Sequence, residues 1–178
     1  MSLRTWLLTA ALLMGAAAAP ATAEGRAPEK WGQGGLWDIY AEPGEGNGCY
    51  ATRLFLSGTV MRIAVRPDGG LHFAIARGSW QFAEVGKTYR MTFVFGNGRT
   101  YEEELEAIAI GAVTVLVIPR MSAAFLSDFT AKTSLLVYHR GSLIAPVVLL
   151  DTYDAVTQLK TCNASVAGTP DYSDPSLR

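Results

Sequence analysis

VMRIAVRPDGGLHFAIA, residues 60–76, is the stretch that decides the fold. Met61, Ile63 and Val65 alternate with Arg62, and Leu71, Phe73 and Ile75 alternate in the same way after the break. A period of two residues puts each set on one face of a strand. Pro67-Asp68-Gly69-Gly70 between them supplies the residues a tight hairpin turn requires. Two alternating strands on one short turn fix their own register, because a slip of one residue would carry every apolar side chain to the wrong face.

Working outward, the same grammar repeats. Upstream, GLWDIYAE (35–42) reads as a first strand, PGEGNG (43–48) as a turn, and CYATRLFL (49–56) as a second strand closed by Ser57-Gly58. Downstream, Trp80 and Phe82 form a short strand or core plug. TYRMTFVF (88–95) and TYEEELEAIAI (100–110) are strands joined by Gly96-Asn97-Gly98. AVTVLVIP (112–119) is almost wholly apolar, which predicts a central strand covered on both faces. SLLVYH and SLIAPVVLL complete the strands, with Pro146 placing the last at an edge or bulge. Two segments break the pattern. Met121, Phe125 and Phe129 recur every fourth residue and predict a short internal helix. DTYDAVTQLKTC (151–162) places Ala155, Leu159 and Cys162 on one helical face, with Asp151 as its N-cap and Asp154 completing an acidic capping box. Eight or nine short strands with regular turns describe a mainly β, single-domain antiparallel sandwich or barrel with an internal and a C-terminal helix.

The two cysteines of the chain, Cys49 and Cys162, fall at the start of the second strand and on the inward face of the terminal helix. One disulfide between them is expected if the chain is exported. The N-terminus supports export. Arg4, the apolar run Trp6–Ala19 and Ala21-Thr22-Ala23 make a secretory signal peptide over residues 1–23, cut before Glu24. The run is short of the about 20 residues a bilayer span needs, and no stable membrane anchor is expected. The leader looks bacterial, which points to periplasm or medium. Residues 24–34 read as a flexible lead-in, 35–165 as the β-rich domain and 166–178 as a polar tail. Removing the leader takes one of the 15 basic residues and none of the 16 acidic ones, leaving a mildly acidic chain with no basic cluster. Nucleic acid is a poor partner for such a surface.

No set of acid, base and nucleophile can be assembled. Leu150-Asp151-Thr152 has the shape of an aspartic protease strand end, but Tyr153 stands where the turn needs glycine and no second copy exists. His72 and His139 sit apart in strand-like runs, so no metal or other cofactor is expected. The remaining lead is aromatic. Trp31, Trp37, Tyr40 and Trp80, with Tyr50 and Tyr138, are candidates for a ligand or partner surface, against the competing role of core packing. Residues of this kind suit a protein partner or a small apolar ligand, of unknown identity.

The segments GLWDIY, CYATR, GTVMRIAV and LLDTYDAVTQLKTC resemble small bacterial periplasmic proteins grouped as invasion-associated locus B proteins, over most of residues 35–162. Family members often carry further cysteines near the first strand, where this chain has Cys49 alone. The resemblance implies an exported β-rich domain with no catalytic site to carry over, and a binding, host-contact or envelope accessory role. Gly35-Leu36-Trp37 also matches the G-x-W opening of lipocalin-like barrels, in which the tryptophan closes one end. That likeness implies the alternative, a calycin-like protease inhibitor or small-ligand carrier.

Overall fold

A computed structural model describes residues 27–42, 48–66 and 68–166. The signal peptide expected at 1–23, most of the turn expected at 43–48 and nearly all of the tail expected at 166–178 lie outside those residues. The elements, in chain order, are β1 (Glu29–Gly34), β2 (Trp37–Glu42), β3 (Gly48–Leu54), β4 (Thr59–Val65) and β5 (Leu71–Arg77). Then come β6 (Thr88–Phe95), β7 (Thr100–Ile110), β8 (Val113–Ile118), α1 (Ala123–Ala131), β9 (Ser134–His139), β10 (Ser142–Val148) and α2 (Thr152–Val166).

All ten strands join one antiparallel sheet in the order β1-β2-β3-β4-β5-β8-β7-β6-β9-β10. The hairpin at 60–76 forms as its alternation requires: Met61 pairs with Ile75 and Ile63 with Phe73. Asp68 and Gly69 make the turn, with Gly69 at φ 77° and the Gly70 amide on the Asp68 carboxylate at 3.0 Å. The β6–β7–β8 meander runs back to place β8 beside β5, and α1 fills the crossover from β8 to β9. The sheet is open, since β1 and β10 are its two edges. It curls far enough that Arg77 at the end of β5 donates from Nη1 to the Ile144 carbonyl on β10 at 3.1 Å.

The inner faces of the curled sheet meet through aromatic side chains. Phe73 on β5 packs edge-on to Phe93 on β6, with ring centroids 5.9 Å apart. Phe125 and Phe129 of α1 insert among them, as their four-residue spacing requires. Each fully buried side chain of this size contributes roughly 1.5–3 kcal/mol against exposure. β8 is central, but its outer phase is covered only in part: Val115 is buried with Ala74 and Ala76, flanked by Ile108 and Val117, while Val113 stands 48% exposed.

Two expectations are corrected. The stretch 24–34 is not a flexible lead-in throughout, because Glu29–Gly34 is a strand paired with β2. Alternation is hidden there by Gly32 and Gly34 and by a bulge between Lys30 and Gly32. Gly34 is required by packing: a Cβ at that position would lie 2.7 Å from the Ala155 Cα of α2. Asp151, expected to cap α2 with its side chain, has φ 59° and sends Oδ2 to the Leu36 amide at 3.0 Å. Its carbonyl still accepts the first helical bond, from the Ala155 amide. The carboxylate thus ties the β1–β2 turn to the start of α2, and among the described residues no hydrogen bond joins Asp154 to the cap. Ala155, Leu159 and Cys162 are fully buried on one face of α2, as expected. Cys162 is bonded to Cys49, with Cα atoms 6.1 Å apart across 113 residues of chain.

Candidate functional site

The aromatic residues singled out from the sequence do not form one surface. Trp37 belongs to the core and not to a binding face: it is fully buried, packs edge-on to Phe55 and Phe129, and donates Nε1–H to the Leu150 carbonyl at 3.0 Å. Trp80 is half-buried in the β5–β6 connection and packs on Phe82, which stacks on the His139 ring at 4.8 Å. It plugs the core edge without forming a strand. Tyr40 lies on the outer face of β2, stacked on Tyr50 of β3 at 5.2 Å. The Arg62 guanidinium lies 3.7 Å above the Tyr50 ring and pairs with Glu42. Burial raises the Tyr50 phenol above its ordinary value, with Arg62 opposing. Tyr50 has Tyr40 stacked on it and the Arg62 guanidinium over its ring. Trp31 sits in the β1 bulge, exposed and without a register partner on β2. Tyr138 is half-buried on β9, opposite Thr92 and Leu143.

The site the structure brings forward is aliphatic. A groove of about 490 Å³ lies where the β1–β2 turn, the β3–β4 turn and edge strand β10 converge. Leu36, Leu54, Phe55, Leu56, Pro146 and Val148 supply its apolar wall. Of these, Leu36 is 55% exposed, Leu54 71%, Val148 57%, and Leu56 projects wholly into solvent. Leu36 is held by the Asp151 carboxylate on its amide. Phe55 is buried and closes the β3–β4 turn by donating its amide to the Thr59 carbonyl at 2.8 Å.

Two charged side chains line the groove, Asp38 and Arg53. Asp38 is already satisfied, by Lys30 Nζ at 2.6 Å and the Gln33 amide at 3.0 Å. Those two hydrogen bonds hold its carboxyl below the ordinary carboxylate range. Arg53 has neutral partners, the Leu150 carbonyl at 3.1 Å from Nη1 and the Phe55 ring face at 4.7 Å. Among the described residues no carboxylate meets it. No cluster of three histidine, cysteine, aspartate or glutamate side chains suited to a metal occurs among the described residues. No described helix is long and apolar enough to cross a membrane.

A sequence reading centred on aromatics missed the groove, although a signal for it exists. Cys49 and Ala51 of β3 are buried, as is Phe55 just past its end, so Leu54 and Leu56 fall in the outward phase with Tyr50 and Thr52. Two leucines on the solvent phase beside a Ser-Gly turn mark a surface and not a core.

The fold has a solved counterpart, invasion associated protein B from Bartonella henselae. The match has a TM-score of 0.55 and 14% sequence identity, over 76% of this chain and 97% of that one. At this identity the likeness concerns the fold. No family model matches the chain, and no curated protein matches it by sequence.

Proposed function

We propose that this chain is an exported, non-catalytic binding protein that engages a protein partner through the Leu36–Leu54–Leu56–Val148 groove. One observation carries the reading: four large aliphatic side chains, Leu36, Leu54, Leu56 and Val148, each more than half exposed, converge on one trough. Contiguous exposed apolar surface is a recurrent mark of interaction sites. The disulfide supports an oxidising compartment, and the leader sequence supports bacterial export to the periplasm or medium. The Bartonella counterpart is named for an association with invasion, which agrees with an accessory role at the envelope or at host contact. The carrier reading needs a closed barrel around a central pocket. The open sheet and the Phe73, Phe93, Phe125 and Phe129 packing between its halves weigh against it.

The test is site-specific photo-crosslinking in the periplasm of an expressing bacterium. A photoreactive residue at Leu56 is expected to trap a discrete partner, and one at Glu104 on the β7 outer face is not. Equal labelling from both sites, or none from Leu56, would contradict the proposal.

A further inference from the structure

The charges of the groove narrow the chemistry of what occupies it. Among the described residues its one anion, Asp38, is neutralised by Lys30, and its one cation, Arg53, is met only by a carbonyl and a ring face. The trough therefore presents aliphatic walls and one guanidinium without a counter-charge. A guanidinium in such a setting favours a carboxylate, which it can hold by two parallel hydrogen bonds. A second copy of the chain fits poorly. It would bring another Arg53 and an Asp38 already engaged by its own Lys30, so like charges would meet with no free acid between them.

The mode of contact is also constrained. β10 is an edge strand, the usual place for a partner strand to add. Pro146 has no N–H to offer at the middle of that edge, and the Ile144 carbonyl is already taken by Arg77. The register breaks between Leu143 and Ala145 as well. Backbone pairing is blunted, and recognition is left to side chains.

We infer that the groove docks a segment of another protein that sets aliphatic side chains into the trough and an aspartate or glutamate against Arg53. This rests on the binding reading above and specifies its partner. Aliphatic contact supplies affinity through buried area, and the acidic contact supplies orientation and specificity.

A displayed library of random short peptides, panned on the purified oxidised protein, tests the inference. The expected result is enrichment of sequences with clustered Leu, Ile or Val beside an Asp or Glu. On Leu56→Asp protein the enrichment should vanish. On Arg53→Gln protein, which keeps a donor for the Leu150 carbonyl, aliphatic enrichment should persist without the acidic preference. A synthesised peptide from the selection should bind Arg53→Gln about tenfold more weakly, in line with a charge-assisted contact. Circular dichroism of both variants checks that they fold. Enrichment without acidic residues, enrichment unchanged by Leu56→Asp, or no enrichment would overturn the inference. Sedimentation showing a dimer that Leu56→Asp dissolves would overturn it in favour of self-association. Peptides that bind but map by crosslinking to Trp31 or Tyr40 would sink the groove assignment while leaving a binding function standing.

Discussion

Gly35 shows how much a single position can carry. It turns the chain between β1 and β2 at φ 59°, a region that L side chains seldom occupy. Any Cβ there would also fall 2.3 Å from the Asp151 Cβ. Gly34, beside it, has ordinary backbone but touches α2 directly. Gly34→Ala is expected to cost about 1–3 kcal/mol, the usual range for overpacking, read as a shift of the urea midpoint. Gly32→Ala meets nothing within 4 Å and should be near neutral in the same assay. Glu103 makes a different point. It lies in the inward phase of β7 opposite Met91, and burial raises its carboxyl above the ordinary glutamate value. A raised folded-state pKa means that folding favours the protonated form, so the charged residue penalises the fold at neutral pH. Glu103→Gln should therefore raise Tm at pH 7. The gain should shrink as pH falls through the folded-state pKa and disappear below about pH 4, where both states hold the proton.

At the scale of elements, the two sheet edges share a device. β1 has a bulge at Trp31 and β10 a register break at Ile144, reinforced by Pro146. Bulges and proline are common ways to keep an edge from pairing with another chain. Helix α1 is held by charge as well as by phenylalanine. Asp128 is buried, accepts the Tyr101 hydroxyl at 2.6 Å and pairs with Arg99 at 3.2 Å. Asp128→Ala removes a charge-assisted hydrogen bond to a part-exposed hydroxyl and should cost about 1–2 kcal/mol, read as a shift of the urea midpoint. Most strands from β2 to β10 were legible because their alternation survives in the residues themselves, β8 because it is an unbroken short apolar run, and both helices because their apolar spacing changes from two to four. β1 was not, since Gly32 and the bulge at Trp31 break the alternation and Gly34, kept small by its close approach to α2, removes a further side chain. The role of Asp151 was hidden for a related reason. A cap to its own helix and a tie to Leu36, far away in sequence, need the same residue at the same place, and tertiary contact decided between them. The groove is assembled from two distant turns and an edge, so the sequence displayed only its leucines.

At the scale of the whole molecule, α2 is the piece that closes the structure. It packs on β1, β2 and β3, buries Ala155, Leu159 and Cys162, and is tied to β3 through Cys49. The bond closes a loop of 113 residues, for which the chain-entropy estimate is an upper limit of about 4–5 kcal/mol. A Cys49→Ala, Cys162→Ala double variant should lose up to that amount in denaturant melts, and α2 should become the first protease-sensitive element. The groove depends on the same closure, because Leu36 is fixed by Asp151 at the start of α2 and Arg53 by Leu150 just before it. The most direct test of the account is the intact mass of protein recovered from the periplasm and left unreduced. A chain beginning at Glu24 and two hydrogens lighter than its reduced form is the predicted result. A full-length chain, or one carrying both thiols free, would contradict it.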